Sequence, residues 1–353
     1  KFGHAMSYLQ LQAEAKWVAD VADRPLFCLA SRRSTNARGQ VEDEVVVGGS
    51  DHGLKVYDAD MGKMKRELYT KKFGHTEWVT TAAYLSGGRV VSGGMDSKLC
   101  LWEAKAARCV DLTGHFGSIS AVQVGQRQGS EVIVSASYDK TVRMWHPIRK
   151  REEATMQGHK DAITSLLFEG DVLASGGRDG QVVIWDIDRK EAAVVLKGHK
   201  KGISGMCKVE GAGPSLFATS ALDGGMRVWD KREKGEVAKT RAHNGGVNAL
   251  FSSLPSSLFT ASADGKVKRW DVRALSAPVW IANDHREVVY TAGPLGEDCL
   301  LSSGSAGRLL LHTVEGKLIR EMKAGENAFR AISTLGEKVF CAGDDGDLYC
   351  YSV

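Results

Sequence analysis

Apolar and polar positions along this chain recur in units of about 40 residues. In each unit, an alternating apolar run is followed by small residues, an aspartate and a second apolar run that ends in an aromatic residue. Five of the second segments read MDSKLCLW, YDKTVRMW, RDGQVVIW, LDGGMRVW and ADGKVKRW. Alternation with a period of two predicts β-strands, and a fixed period of about 40–45 residues predicts repeated sheets arranged around an axis. The pattern therefore predicts an all-β fold of repeated hairpins.

A histidine, in most cases preceded by glycine, stands at the start of six units. Successive histidines are separated by 40, 44, 40, 44 and 42 residues, and they are His75, His115, His159, His199, His243 and His285. In five units an aspartate precedes a tryptophan by six residues. These pairs are Asp96 and Trp102, Asp139 and Trp145, Asp179 and Trp185, Asp223 and Trp229, and Asp264 and Trp270.

Three further units are weaker versions of the same hairpin. Asp51 and Asp345 each precede a tyrosine by six residues. In the remaining unit, Ala306 and His312 stand where the aspartate and the tryptophan are expected. We therefore predict eight hairpins, of which the first, seventh and eighth are degenerate. Seven repeats plus a degenerate segment is the alternative.

A serine or threonine lies four residues before the turn position in most units. In a hairpin, this spacing puts the hydroxyl on the first strand, the aspartate in the tight turn and the tryptophan on the second strand. The hydroxyl residues are Ser92, Ser135, Ser175, Thr219, Thr260 and Ser302.

These repeats resemble the WD40 family, with Trp-Asp dipeptides at 185–186, 229–230 and 270–271. The resemblance spans nearly the whole chain and implies a single β-propeller domain over residues 1–353, with eight blades of four antiparallel strands. It also implies that the histidine, aspartate, hydroxyl and tryptophan of a blade form one buried hydrogen-bonded network. Losing one member leaves a buried polar group unpaired, at a cost of about 1–3 kcal/mol. We therefore interpret this quartet as structural.

The two ends of the chain are expected to close the ring. The C-terminal repeat ends on its third strand, and the resemblance implies that the N-terminus supplies the missing outer strand. Residues 16–21, from Lys16 to Val21, fit that position because they lie just before the first inner strand at residues 26–30. Closure of this kind removes exposed strand edges. Residues 1–5 precede Met6 and are expected to be foreign to the natural protein, so no function is assigned to them.

The stretch 31–44 reads SRRSTNARGQVEDE and is longer and more polar than the equivalent turns. It predicts a long loop in the first blade, either a mobile insertion or a contact site.

The amino-acid composition restricts the possible functions and leaves the predicted fold unchanged. The chain is 43% hydrophobic and 25% charged, with 40 glycines and 6 prolines, as expected for a globular protein with many tight turns. The net charge of +4 is scattered along the chain, so no nucleic-acid partner is predicted. No apolar run approaches the roughly 18 residues of a membrane span, so no membrane insertion is predicted. We predict a cytoplasmic protein, with a nuclear or cytoskeletal location as alternatives.

The seven cysteines form no CxxC pair and predict buried free thiols in a reducing compartment. The Ser-His-Asp set is repeated in at least five units, whereas a hydrolase needs one unique nucleophile with its base and oxyanion hole. Six of the ten histidines stand one per blade at repeat positions, which argues against a metal site. We therefore predict no enzymatic activity, no cofactor, no metal and no small-molecule substrate.

Function is expected on the face that carries the Gly-His turns, because the resemblance implies that WD40 propellers bind partners there. The residue before each turn aspartate and the start of each inner strand supply the side chains. The candidate partner-binding residues are Trp78, Met95, Tyr138, Arg178, Leu222, Asn248 and Arg330, with Thr80, Thr164 and Glu287 at equivalent positions. Aromatic residues, methionine and arginine are enriched where proteins bind one another. We predict a scaffold or adaptor that binds a peptide or helix of other proteins.

An alternative function is substrate recognition for a ubiquitin ligase. Adaptors of that class with eight WD40 blades bind phosphorylated peptides through several arginines on the same face. Arg178 and Arg330 are at such positions here, but in blades that are not adjacent. A phosphate is bound best by two or more converging guanidinium groups.

Overall fold

The computed structural model describes residues 14–35, 39, 41–70, 72–233, 235–323 and 327–352. Residues 1–5 lie outside this part of the chain. The described residues form 32 strands in eight four-stranded antiparallel sheets, and one short 3-10 turn at Ser86–Gly88. The first strand of each sheet packs beside the first strand of the next, and β30 packs beside β2, so the sheets form a closed ring. This confirms the eight-bladed propeller and rules out the seven-bladed alternative.

Each of the first seven blades contains four strands that are consecutive along the chain. Blade 1 comprises β2 (Leu26–Thr35), β3 (Val41–Gly49), β4 (Leu54–Asp58) and β5 (Met64–Glu67). Blade 2 comprises β6 (Val79–Tyr84), β7 (Val90–Gly94), β8 (Leu99–Trp102) and β9 (Cys109–Leu112). Blade 3 comprises β10 (Ile119–Arg127), β11 (Ser130–Ser137), β12 (Thr141–His146) and β13 (Arg151–Gln157). Blade 4 comprises β14 (Ile163–Glu169), β15 (Val172–Gly177), β16 (Gln181–Asp186) and β17 (Glu191–Lys197).

Blade 5 comprises β18 (Ile203–Lys208), β19 (Leu216–Ala221), β20 (Gly225–Asp230) and β21 (Gly235–Arg241). Blade 6 comprises β22 (Val247–Leu254), β23 (Ser257–Ser262), β24 (Val267–Asp271) and β25 (Trp280–Ala282). Blade 7 comprises β26 (Val289–Leu295), β27 (Cys299–Gly304), β28 (Arg308–Thr313) and β29 (Leu318–Lys323). Blade 8 comprises β30 (Phe329–Leu335), β31 (Lys338–Gly343), β32 (Asp347–Ser352) and the N-terminal strand β1 (Trp17–Asp20).

The N-terminal strand closes the ring as the outer strand of blade 8. It pairs antiparallel with β32, with Trp17 opposite Cys350 and Asp20 opposite Asp347. The Lys16 N–H also donates to the Cys350 carbonyl over 2.7 Å. The predicted closing segment, residues 16–21, is therefore confirmed. The described part of the chain contains no helix that is long and apolar enough to cross a membrane.

The prediction of a long polar loop at residues 31–44 is wrong. Strands β2 and β3 continue through most of it, with Arg32 paired opposite Glu44 and Arg33 opposite Asp43. Arg32 Nη2 lies 2.8 Å from Glu44 Oε2, and Arg33 Nη2 lies 2.9 Å from Asp43 Oδ2. The basic residues and the acidic residues that follow them form cross-strand ion pairs, which stabilise a longer hairpin. Lys338 of blade 8 also lies 2.8 Å from Asp43, so this hairpin is linked to the closing blade.

The core is divided among the spaces between neighbouring blades. Between blades 2 and 3, for example, Leu99 and Leu101 of β8 pack with Ile119, Ile133 and Trp145 of blade 3. All five side chains are almost completely buried, and burial of one such side chain contributes about 1.5–3 kcal/mol. The alternating apolar residues of each strand thus pack between blades. This packing holds the turns on both faces of the propeller in fixed positions.

Candidate functional site

The repeated quartet forms a hydrogen-bonded chain that is clearest in blade 3. Trp145 Nε1–H donates to Ser135 Oγ over 2.8 Å, and Ser135 Oγ lies 2.8 Å from His115 Nε2. His115 Nδ1 lies 2.7 Å from Asp139 Oδ2. Because the Asp139 carboxylate only accepts, His115 Nδ1 carries the ring proton and donates to it, and Nε2 accepts from the Ser135 hydroxyl. Burial opposes ionisation, but hydrogen bonds with His115 and Thr141 hold the pKa of Asp139 well below its ordinary value.

Blades 2 and 6 contain the same complete series of hydrogen bonds. In blades 4 and 5 the distance between the histidine Nδ1 and the aspartate carboxylate is longer. In the complete blades the histidine Nδ1 lies 3.0 Å from Asp96 and from Asp264. His159 Nδ1 is 3.7 Å from Asp179, and His199 Nδ1 is 3.6 Å from Asp223, beyond hydrogen-bond range. Their other contacts remain, since Ser175 and Thr219 bond both the histidine and the tryptophan of their blades.

The degenerate blades keep parts of this network with different residues. In blade 7, His285 Nε2 lies 2.8 Å from Ser302 Oγ. His312, in place of tryptophan, bonds Asp284 over 3.0 Å. In blade 8 the Tyr349 hydroxyl donates to Asp345 over 2.9 Å. In blade 7, Asp284 therefore pairs with the residue at the tryptophan position, His312, and not with His285.

The serines of the quartet are not available for nucleophilic attack. Ser92, Ser135 and Ser175 are completely buried, and each accepts a tryptophan N–H while bonding a histidine. A nucleophile needs an open path to substrate. The arrangement therefore stabilises the blades and gives no hydrolytic site.

We call the face that carries the Gly-His turns the top face, because all inner strands begin there. Four turn residues, one from each of the consecutive blades 2–5, lie on it at equivalent positions. They are Met95, Tyr138, Arg178 and Leu222, and we call them the top-face row. Met95, Tyr138 and Leu222 are 44%, 46% and 51% exposed. Each row residue donates its backbone N–H to the residue just before an inner strand, as in Met95 to Trp78 over 2.8 Å, so the rigid inner strands fix the row.

Trp78 extends this apolar surface towards blade 1. Its side chain is 40% exposed and stacks on Phe27 of β2, with ring centroids 5.2 Å apart. Phe27 is at the irregular position of the β2–β3 pairing, between Leu26 and Cys28. Sequence reasoning missed Phe27. The sequence feature that could have identified Phe27 is an aromatic residue at the position that Thr80 occupies in blade 2 and Thr164 in blade 4.

Several predicted inner-strand residues join neighbouring blades. The Thr80 hydroxyl donates to the Ile119 carbonyl over 2.5 Å, and the Thr164 hydroxyl donates to the Ile203 carbonyl over 2.7 Å. The Asn248 side-chain amide donates to the Val289 carbonyl over 2.7 Å. Asn248 was predicted to bind a partner, but its amide is used within the ring. Small polar residues at this position therefore tie each inner strand to the next blade.

The structure separates the two arginines of the alternative function. Arg178 is in blade 4 and Arg330 in blade 8, on opposite sides of the ring. The Arg330 guanidinium forms a two-nitrogen contact with Asp344, with Nη2 2.7 Å from Oδ2, and lies over the Tyr290 ring at 4.3 Å from its centroid. Glu287 accepts a hydrogen bond from Ser305 in the same sector. The two arginines do not converge, and one of them already pairs with a carboxylate.

The sequence prediction also missed Phe116, which follows His115 in blade 3. Its side chain is 88% exposed, more than any other large apolar side chain among the described residues. The equivalent residues in blades 4 and 5 are Lys160 and Lys200, both exposed. The top face over blades 2–5 therefore combines apolar side chains with positive charge around Arg178, which makes no ion pair with any described residue.

Fold and repeated quartets together define an eight-bladed β-propeller. A family model described as "WD domain, G-beta repeat" matches residues 66–103, 108–146, 150–186, 190–230 and 235–271, more than half of the chain. The chain belongs to the WD40 repeat family. It is similar to a "Ribosome biogenesis protein WDR12 homolog" of Trichoplax adhaerens, with 27% identity over 78% of this chain and 71% of that protein.

Two further proteins are similar to this chain, and the solved structure among them shows the same fold. The chain is 25% identical to "p21-activated protein kinase-interacting protein 1-like" of Danio rerio over 74% of this chain and 69% of that protein. The crystal structure of the computationally designed Ika8 protein superposes with a TM-score of 0.81, covering 96% of this chain and all of that chain at 22% identity. None of these three names refers to a ubiquitin ligase or states a cytoplasmic location, so neither prediction is supported.

Proposed function

We propose that this propeller is a non-catalytic scaffold that binds a peptide or helical segment of other proteins on its top face. The observation that carries the proposal is the top-face row, where three large side chains from neighbouring blades stand between 44% and 51% exposed. Rigid inner strands hold them, so little conformational entropy is lost on binding. Trp78 and Phe116 extend the same surface.

The surface also indicates what the bound segment contains. Arg178, Lys160 and Lys200 are exposed in the turns of blades 4 and 5, whereas the side chain of Asp179, next to Arg178, is only 12% exposed. Asp161, beside Lys160, is the exposed acidic residue nearest to them in sequence, so positive charge predominates. An apolar surface with this rim fits a segment with two or three apolar residues and flanking carboxylates. Charge complementarity of this kind mainly sets the association rate and the specificity.

The relatives favour a role in a multi-protein assembly. One relative is named for ribosome biogenesis and another for interaction with a protein kinase. We propose that this chain likewise brings proteins together in an assembly of that kind, with the nucleus as its expected location. The prediction that it binds no nucleic acid stays open to a direct binding test. A phosphopeptide-reading role is not proposed, because Arg178 and Arg330 lie on opposite sides of the ring.

Affinity purification with quantitative mass spectrometry tests the proposal. The test variant is Trp78→Ala/Arg178→Glu on the top face. The matched control is Ile148→Ala/Arg149→Glu, which removes an exposed apolar residue and reverses a charge in a turn at the opposite face. Thermal unfolding establishes that both variants fold. We expect the top-face variant to lose at least one partner that the control retains, whereas identical partner lists for all three proteins would overturn the proposal.

A further inference from the structure

Two cysteines and an aspartate come together in the outer half of blade 2. Cys100 is on β8, and Cys109 and Asp111 are on the neighbouring β9. The register pairs Cys100 with Asp111 and Trp102 with Cys109, so all three side chains project from the same face of the sheet. The two sulfur atoms and a carboxylate oxygen all lie within 4.8 Å of one another.

The two sulfur–oxygen distances within this cluster match the sulfur–oxygen edges of a tetrahedral metal site. Asp111 Oδ1 lies 3.4 Å from Cys100 Sγ and 3.6 Å from Cys109 Sγ. Zinc binds cysteine sulfur at about 2.3 Å and carboxylate oxygen at about 2.0–2.2 Å in tetrahedral geometry. Those bond lengths correspond to sulfur–oxygen edges of roughly 3.5–3.7 Å. A small shift of the ligands is sufficient to admit the ion.

We infer that Cys100, Cys109 and Asp111 bind a thiophilic divalent cation, of which Zn²⁺ is the best fit. Thiolates select soft and borderline metals over Mg²⁺ and Ca²⁺. The metal replaces the two thiol protons, which pass to solvent, and a water molecule takes the fourth position on the exposed side of Asp111.

The surroundings suit a site of this charge. Cys100 and Cys109 are buried, whereas the Asp111 side chain is 41% exposed, so the ion has an entry path. Two thiolates and a carboxylate carry one negative charge more than a divalent ion neutralises. Lys98 Nζ lies 3.9 Å from Asp111 Oδ2, on the oxygen that does not face the sulfurs. The lysine therefore offsets the excess charge without occupying the ligand oxygen.

The cluster differs from the other thiols of the chain. Both thiols hydrogen-bond the same carboxylate oxygen of Asp111, so three potential ligand atoms already face one another. Within the described residues, no other cysteine has two further potential ligands at such distances. The spacing of Cys100, Cys109 and Asp111 matches no common zinc motif, so the sequence predicted only free thiols and no metal.

Cobalt titration of the reduced, metal-free full chain tests the site. Thiolate-bound Co²⁺ gives a charge-transfer band and visible bands of a tetrahedral complex. We expect one Co²⁺ per chain and its displacement by Zn²⁺. The Asp111→Asn and Cys109→Ala variants are expected to bind at least roughly tenfold more weakly, while Cys207→Ala, which removes a distant thiol, binds normally.

Two further measurements separate metal binding from a loss of folding. Asp111 is exposed, so Asp111→Asn is expected to unfold at the same temperature as the wild type when metal is absent, and to lose the rise in unfolding temperature that Zn²⁺ produces. Asp111→His supplies another zinc ligand and is expected to restore binding. Absence of the thiolate band in the wild-type protein, or full binding by both Asp111→Asn and Cys109→Ala, would overturn the inference.

Discussion

Phe27 of blade 1 stacks on Trp78 of blade 2, with ring centroids 5.2 Å apart and 30° between the ring planes. This contact joins a degenerate blade to the first strong blade at the edge of the top face. Because Trp78 remains 40% exposed, the same side chain both packs between blades and presents a surface to solvent. Its two roles are separable by experiment.

We expect the two rings to be energetically coupled. Aromatic pairs in this geometry contribute about 0.5–1.5 kcal/mol beyond the area that they bury. A double-mutant cycle with Phe27→Ala and Trp78→Ala, followed by urea unfolding, is expected to give a coupling free energy in that range. A control cycle with Trp78→Ala and Leu222→Ala, three blades apart, is expected to be additive. Additivity in both cycles would contradict the stacking account.

The quartet predicts different costs for the same substitution in two blades. Ser135→Ala in blade 3 removes the partner of both Trp145 and His115, and each buried group left unpaired costs about 1–3 kcal/mol. Ser302→Ala in blade 7 affects one such contact, with His285, because no tryptophan is present there. Chemical unfolding is expected to show a loss for Ser135→Ala that exceeds that for Ser302→Ala by about 1 kcal/mol or more. Equal losses would show that the tryptophan bond contributes nothing.

The residue that follows the turn aspartate has a left-handed backbone conformation. In blade 3 this residue is a lysine, and in blade 5 it is a glycine. Lys140 has φ 71° and Gly224 has φ 79°. A non-glycine residue in this region costs about 1–2 kcal/mol, partly offset by the larger entropy of glycine in the unfolded chain. We expect Lys140→Gly to raise the free energy of unfolding by roughly 0.5 kcal/mol.

Gly224→Ala is the converse test and is expected to lower the free energy of unfolding by more than about 1 kcal/mol. An added Cβ would clash with the His243 carbonyl oxygen of the next blade. The His243 N–H donates to the Gly224 carbonyl over 3.0 Å, so this contact cannot move away without losing a hydrogen bond. A neutral Gly224→Ala would show that the two blades do not approach this closely.

Buried histidines predict a loss of stability in mild acid. Burial lowers the pKa of His199, His243 and His285 to about 4, from an ordinary value of 6.5. Between these values the unfolded chain binds protons that the folded chain does not. The free energy of unfolding therefore falls as pH decreases from about 6.5 to about 4, by up to about 1.4 kcal/mol per pH unit for each histidine.

Urea unfolding at a series of pH values measures this slope, and His285→Asn provides the comparison. The variant removes one titrating group, so its slope between pH 6.5 and 4 is expected to be smaller by up to about one proton. An unchanged slope, or a wild-type stability that is flat over this range, would show that these imidazoles titrate normally in the folded protein.

Strict spacing made most of the fold predictable. The six-residue interval between aspartate and aromatic residue marked even the degenerate hairpins at Asp51 and Asp345, and the missing outer strand of blade 8 identified residues 16–21. The polarity of residues 31–44 predicts a loop only as long as the pairing register of the two strands is unknown. Only the pairing of Arg32 with Glu44 and of Arg33 with Asp43 shows that these charges neutralise one another across two strands.

The candidate site was predictable where a residue broke the repeat, as at Trp78, Met95 and Tyr138. It was not predictable where function depends on a contact made by folding. Asn248 stands at a surface-like position, yet its amide bonds the next blade. Cys100, Cys109 and Asp111 form a cluster only because β8 and β9 pair in one particular register.

Site-specific photocrosslinking tests the central claim most directly. p-Benzoylphenylalanine replaces Phe116 on the top face or Ile148 on the opposite face, two apolar residues that are 88% and 75% exposed. Each protein is irradiated in cells, and the crosslinked proteins are identified by mass spectrometry. The account predicts that position 116 crosslinks a partner that Trp78→Ala/Arg178→Glu loses, and that position 148 does not. Crosslinking of that partner from position 148 alone would contradict it.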